Sequence, residues 1–390
     1  MKKVALVTCY FQPNYGSMLQ AYATQQILDE WDIPNETICI EGLLPEIHKA
    51  KIAYFKSRIF SPDVIKDKWG YLKLVVAKRM NKKLALNMSL RDKAFHSFSK
   101  KMFRISQCYS SKSLITIKAN DYSAFLVGSD QLWLPSNIAA DYYTLNFVPD
   151  KVRKIAYATS FGVSYLPPNI GEAARKFLPR IHYLSVREKS GQKLVKTLIG
   201  EDVPVVCDPT LLLTAEEWMG IQKKERYVEE PYIFCYYLGD NPYPREFANE
   251  LKTRTGLKIV ALQQLDAYIK SDEDFADEAP YNVDPSDFVN LIRYAEYVCT
   301  DSFHGTVFSI LNHRTFFSFR RFITQTTMST NSRIDSLLEV LELSTRLQEN
   351  DSSIDNALQV MINYEAVDER LTVFRRESQQ FLKLALMGLE

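Results

Sequence analysis

Long apolar runs are missing from this 390-residue chain. Nothing in it approaches the roughly 18 consecutive apolar residues that a membrane-spanning helix requires. Histidine is scarce, five in all, and no two histidines have zinc-ligand spacing, which argues against a catalytic metal. The six cysteines form no C-x-x-C pair. Cys9, Cys39, Cys108, Cys207, Cys235 and Cys299 are scattered, several inside apolar runs, and read as the buried free thiols of a reduced cytosolic protein. Net charge is also nearly absent, with 48 Lys and Arg against 47 Asp and Glu. That balance excludes a globally basic nucleic-acid binder and an acidic disordered chain. There is no internal repeat and no low-complexity tract.

What is present is an ordinary globular composition, 46% hydrophobic and 24% charged, in a chain long enough for about two or three domains. Met1-Lys2-Lys3 and the apolar run to Phe11 faintly imitate a signal peptide. The run is short and meets Gln12-Pro13-Asn14-Tyr15-Gly16, so it predicts a first buried strand. A soluble cytoplasmic protein is the expectation. Short β-branched runs then alternate with polar clusters and helical stretches: Val4–Thr8, Phe125–Val127, Ile155–Ala158, Leu184–Val186 and Val203–Val206. A second series follows from Tyr232 and from Leu257, and ends at Tyr297–Thr300. Strands alternating with helices predict parallel α/β sheets. We expect two Rossmann-like α/β domains facing a cleft, residues 1–215 and 216–365, with a C-terminal helix in 366–390 packing back on the first.

Polar clusters at strand carboxyl ends are where open α/β sheets bind ligands. Asn14-Tyr15-Gly16-Ser17 precedes a helix, whose free N–H groups favour an anion; the alternative is a capped turn. Gly128-Ser129-Asp130-Gln131 follows a buried strand, and Asp130 is placed either to orient or deprotonate a hydroxyl or to cap the next helix. Thr159-Ser160-Phe161-Gly162 occupies the same kind of position. Arg187, just past Leu184-Ser185-Val186, suits a carboxylate or phosphate, or an ion pair with Glu188. Asp301-Ser302-Phe303-His304-Gly305-Thr306 is the strongest cluster, joining a strand to a helix. His304 there is a candidate acid or base, or a hydrogen-bonded structural histidine. Arg320, Arg321 and Arg333 are further candidate anion ligands. His48, His96, His182 and His313 carry weaker signals.

In this order the clusters resemble the polysaccharide pyruvyl transferase family. The matching segments are Asn14 to Ala23, Val127 to Trp133, Ser185-Val186-Arg187-Glu188, Asp208-Pro209-Thr210-Leu211-Leu212 and Thr300 to Gly305, with Arg333-Ile334 trailing. The resemblance implies a GT-B-like fold and transfer of pyruvate from phosphoenolpyruvate to a sugar of a bacterial polysaccharide or lipid-linked precursor, as a cyclic ketal. It needs no cofactor and no metal, phosphoenolpyruvate being the donor substrate. His304, Asp130 and Arg187 would then be catalytic. Asn14, Tyr15, Gly16, Ser129, Gln131, Ser160, Ser302, Gly305, Thr306 and Arg333 would bind substrate, the acceptor on the first domain and the donor on the second. Some relatives carry an aspartate where this chain has Ser17. A nucleotide-sugar glycosyltransferase of the same fold and a non-catalytic carbohydrate-assembly partner are the rival readings.

One segment breaks the rhythm. Residues 46–105 contain a single glycine, Gly70, and predict a helical insertion. Between Lys49 and Arg104 stand 16 Lys and Arg against 3 Asp and Glu, a charge of +13 that leaves −12 on the remainder. Two readings stay open: a solvated helical face, or a surface that docks on anionic lipid at the inner membrane face or on a lipid-linked pyrophosphate.

Overall fold

Apolar runs too short for helices and flanked by turn residues become the strands of two parallel sheets. The computed structural model describes residues 2–56, 74–76, 78, 79, 81–264, 269–272, 274–321, 332–349 and 353–388. In the first sheet β1 (Lys3–Val7), β2 (Asn35–Thr37), β3 (Tyr122–Val127), β4 (Arg153–Thr159) and β5 (Tyr183–Val186) lie in the order β2-β1-β3-β4-β5. All pairings are parallel, with Leu6 beside Leu126 and Leu126 beside Ile155. The second sheet holds β6 (Tyr232–Tyr236), β7 (Lys258–Leu262), β8 (Tyr297–Thr300), β9 (Thr315–Phe319) and β10 (Leu347–Gln348), ordered β10-β9-β8-β6-β7. These are two Rossmann-like domains. Strand order reverses between β1 and β3 in one sheet and between β6 and β8 in the other. The loops after β1, β3 and β8 therefore open at the two switch points, where crevices form.

Eight helices matter for the site: α1 (Tyr15–Glu30), α2 (Leu44–Lys56), α3 (Lys82–Met102), α4 (Lys189–Ile199), α5 (Pro285–Arg293), α6 (Phe303–Leu311), α7 (Ser332–Val340) and α8 (Tyr364–Leu386). The C-terminal α8 packs on the first domain. Arg153 donates to the Ala385 and Met387 carbonyls, Ser378 Oγ accepts from the Cys207 amide, and Arg375 donates to the Leu211 carbonyl.

Several sequence expectations change. Val203–Val206 forms no strand; Val205 makes only a single parallel bridge to Val186. Cys39 and Cys108 are disulfide-bonded, so four of the six cysteines are free thiols rather than all six. Spacing gave no hint of this pair, because the two cysteines stand 69 positions apart with the insertion between them. The insertion is helical where described, in α2 and α3, while residues 57–73, 77 and 80 lie outside the described residues. Its basic character is also not wholly superficial. Arg91 of α3 is 1% exposed and donates to the carbonyls of Gln263, Pro280 and Tyr281, so it ties the insertion to the second domain. Among the described residues no helix is long and apolar enough to cross a membrane.

Candidate active site

Asn14 caps α1, its side chain accepting from the Ser17 amide at 3.1 Å. The next turn projects Ser17 Oγ onto Asp130 Oδ2 at 2.5 Å. A serine here supplies a donor where an aspartate would bring a second carboxylate against Asp130. Asp130 itself has φ +71°, in the left-handed region that asparagine and aspartate tolerate best after glycine. That backbone turn follows Gly128, at φ +140°, and re-aims the carboxylate out of the sheet edge.

Asp208 is the hub of the site. It begins the Asp208-Pro209-Thr210 turn, and its Oδ1 accepts from the Thr210 amide and hydroxyl at 3.0 and 2.7 Å. Its Oδ2 accepts from Arg187 Nη1 at 2.6 Å and lies 2.9 Å from Ser129 Oγ. His304, in the first turn of α6 in the other domain, places Nε2 3.6 Å from the same oxygen, an ion-pair distance beyond hydrogen-bond length. Burial pushes the Asp208 carboxyl up, but His304 and Arg187 outweigh it and hold it far below the usual carboxylate range. Asp130 behaves alike: burial raises it, and Arg187, His304 and Arg333 together bring it below its ordinary value. Glu188 goes the other way, because burial outweighs the attraction of Arg187 and Arg333.

Arg187 is 5% exposed. Its guanidinium is shared between Asp208 and Asp130, the latter at 3.5 Å, and lies 4.5 Å over the Phe303 ring. Arg333, at the start of α7, is buried beside Arg187 and Arg321. Burial and then those two cations lower it to about 9, against the pull of Asp130 and Glu188. The cleft thus brings Asp130, Arg187 and Asp208 of one domain against His304, Arg321 and Arg333 of the other. Three buried nitrogens in this group, Arg187 Nε, Arg321 Nε and His304 Nε2, have no hydrogen-bond partner among the described residues. Unpaired donors of this kind are rare in native interiors.

Two glycines allow close approaches here, Gly16 between the domains and Gly305 within the second. A Cβ at Gly16 would fall on the His304 imidazole, and one at Gly305 would strike the Thr300 side chain. Gly16 is therefore the surface against which His304 rests. Tyr15, expected to touch substrate, is instead 2% exposed. It stacks on Phe288 at 4.7 Å and donates to the Val283 carbonyl, cementing the domain contact.

The other expected residues divide by position. Asn14 and Gln131 line a cavity of about 220 Å³ with Ser17 and Asp130. Ser129, Ser160, Ser302 and Thr306 are buried and pair internally, Ser160 with Glu188, Ser302 as the α6 cap and Thr306 with Ser318. They shape the loops. Sequence reasoning gave no role to Asp208, placed Glu188 only as an ion-pair partner of Arg187, and held Arg321 as a further candidate anion ligand. The first was visible only as a strand-end Asp-Pro-Thr, and what Arg321 and Arg333 share is spatial.

Two Rossmann-like domains meeting over a cleft lined with acids, arginines and one histidine define a GT-B-like α/β architecture. The chain belongs to the polysaccharide pyruvyl transferase family, whose model matches residues 14–321. Among solved structures it is similar to a Listeria monocytogenes protein described as a UDP-N-acetylglucosamine 2-epimerase, at 12% identity over 100% of this chain and 98% of that one, TM-score 0.51. It is also similar to the glycosyltransferase SnogD from Streptomyces nogalater, at 12% identity with full coverage of both chains and a TM-score of 0.41. No protein of curated function matches it.

Proposed function

We propose that the chain transfers pyruvate from phosphoenolpyruvate to two hydroxyls of one sugar, releasing phosphate. The observation that carries this reading is the set of buried nitrogens on Arg187, Arg321 and His304 that have no hydrogen-bond partner among the described residues, packed beside Arg333. A small polyanion with a carboxylate and a phosphate, presented in the cleft, supplies acceptors for such donors. It also relieves the repulsion from Arg187 and Arg321 that, after burial, lowers Arg333.

His304 delivers a proton to the methylene carbon. The π pair of phosphoenolpyruvate forms the new C–H bond, and the central carbon becomes an oxocarbenium ion. One sugar hydroxyl adds there and gives up its proton. The C–O bond to phosphate then breaks, with the electron pair leaving on phosphate. The second hydroxyl closes the ketal and releases its own proton. Of the two hydroxyl protons, one replaces that taken from His304 and the other leaves with phosphate. Asp130, which reaches both the charge cluster and the 220 Å³ cavity, orients the attacking hydroxyl. Arg187 acts mainly by fixing Asp130 and Asp208, while Arg321 and Arg333 hold the donor. The cavity on the first domain takes the acceptor, a single sugar ring by its volume.

The test is phosphate release from phosphoenolpyruvate against a panel of α- and β-linked galactosides, glucosides and mannosamines, lipid-pyrophosphate forms included. We expect acceptor-dependent release that His304→Ala reduces by at least about a hundredfold. Wild-type turnover in His304→Ala refutes the assigned proton donor. Nucleotide release from a sugar nucleotide in place of phosphate moves the chain to the glycosyltransferase reading.

A further inference from the structure

The cavity beside Asp130 has a wall that belongs neither to the sheet nor to the strand-end loops. It is built by α2, the start of the basic insertion. Leu44, Ile47, His48 and Lys51 recur at helical spacing and all line the cavity, so one face of α2 looks into it. Opposite stand Asn14, Ser17, Asp130 and Gln131. Among the described residues Lys51 is the one lysine of the insertion that lines this cavity. It is partly buried, and it forms no ion pair among the described residues. Burial lowers its ammonium, with only the Cys9 sulfur opposing that shift. Cys9 is no anion to pair with, since burial and then Asp130 raise its thiol to about 12. The nearest carboxylate on the cavity wall, Asp130, is already engaged by Arg187 and Ser17.

We propose that this cavity selects an acceptor sugar carrying an anionic group, a carboxylate or a phosphate ester, with Lys51 as its counter-ion and His48 as a second donor at the exposed rim. The proposal rests on taking the cavity as the acceptor pocket. It turns part of the +13 of the insertion into a specificity device: the apolar residues of the α2 face pack against the ring, and the cation at their end reads its substituent. Asp130 does not repel such a ligand, because its charge is compensated from the donor side while Lys51 stands on the α2 wall.

The experiment is equilibrium binding by titration calorimetry to the full chain, with a methyl hexoside, the corresponding methyl hexuronate and the hexose 6-phosphate as probes. Phosphate release from phosphoenolpyruvate is measured in parallel with each. We expect one or both anionic probes to bind at least about tenfold tighter than the neutral one. That ratio should collapse towards unity in Lys51→Met and persist in Lys51→Arg. Lys51→Gln serves if Lys51→Met does not melt as the wild type does. Preference for the uronate alone assigns a carboxylate, and preference for the ester alone a phosphate. Equal affinity for neutral and anionic probes, a preference that survives loss of the lysine charge, or binding of none of the three overturns the proposal. The two readings fail separately. Charge-selective binding without phosphate release sinks pyruvyl transfer and leaves this inference standing, whereas release with no charge preference does the reverse.

Discussion

Asp208→Asn tests the electrostatic logic of the cleft, because the substitution keeps shape and removes one charge. In the wild type Asp208 is the nearest anion to a wholly buried guanidinium, 2.6 Å from Arg187 Nη1. After substitution Arg187 keeps only Asp130 at 3.5 Å and Glu188 at 3.9 Å. Glu188 is a weak substitute, since burial already raises its carboxyl towards the neutral form. Breaking one partner of a buried ion pair costs about 3–5 kcal/mol, and the asparagine amide still accepts from Thr210, so the lower part of that range is expected. The assay is urea unfolding at a series of pH values. The folded Asp208 carboxyl titrates far below its unfolded value near 3.9. Its stabilisation is therefore fully present above the unfolded value and is lost as pH falls towards the folded one. The gap between wild type and variant should shrink steadily below about pH 4. A gap under about 1 kcal/mol at pH 7, or one that widens on acidification, refutes the claim that Asp208 compensates Arg187.

Gly16→Ala drives a methyl group onto the His304 ring, so we expect a loss of about 1–3 kcal/mol in stability and a larger fractional fall in kcat than in KM, read by chemical melts and phosphate release. Arg91→Met leaves three carbonyls of the second domain without their donor; stability should fall by about 2–4 kcal/mol, and limited proteolysis should cut within 82–102 more readily. Thiol titration of the denatured, unreduced chain should find the four free cysteines, rising to six after reduction.

The strands with the densest β-branched and aromatic runs were legible, and so were the ends from which site residues project. Tyr297-Val298-Cys299-Thr300 can hardly be anything but a buried strand, and His304 follows it at the start of a helix. β2 and β10 were not legible. At three and two residues they carry no periodicity and exist because a neighbouring edge offers backbone partners. Val203–Val206 failed for the converse reason, a strand-like composition with only one bridging partner. Roles were harder to read than positions. Arg187 is a sound anion ligand in sequence terms, but Asp208, 21 positions later, occupies its best donor. No local pattern announces a pairing that the β5 end and the following loop make only after folding. The disulfide was hidden in the same way, by distance along the chain.

The same distance explains why net charge was a poor guide to this protein. A chain of +1 contains at least three separate electrostatic environments: a buried cluster in the cleft, a structural arginine on α3 and a single partly buried lysine on α2. In the first, cations and carboxylates from both domains face one another, so that Asp130 and Asp208 stay ionised while Glu188 is pushed towards its acid form. In the second, Arg91 is satisfied by carbonyls and brings no anion with it. Only in the third does a cation face a cavity without a carboxylate of its own. Burying such a charge is unfavourable, and a fold that needed α2 only for packing would be served as well by a neutral side chain. The position of Lys51, one turn beyond the apolar contacts and on the same face, is what a helix must offer to hold a ring and its charged substituent together.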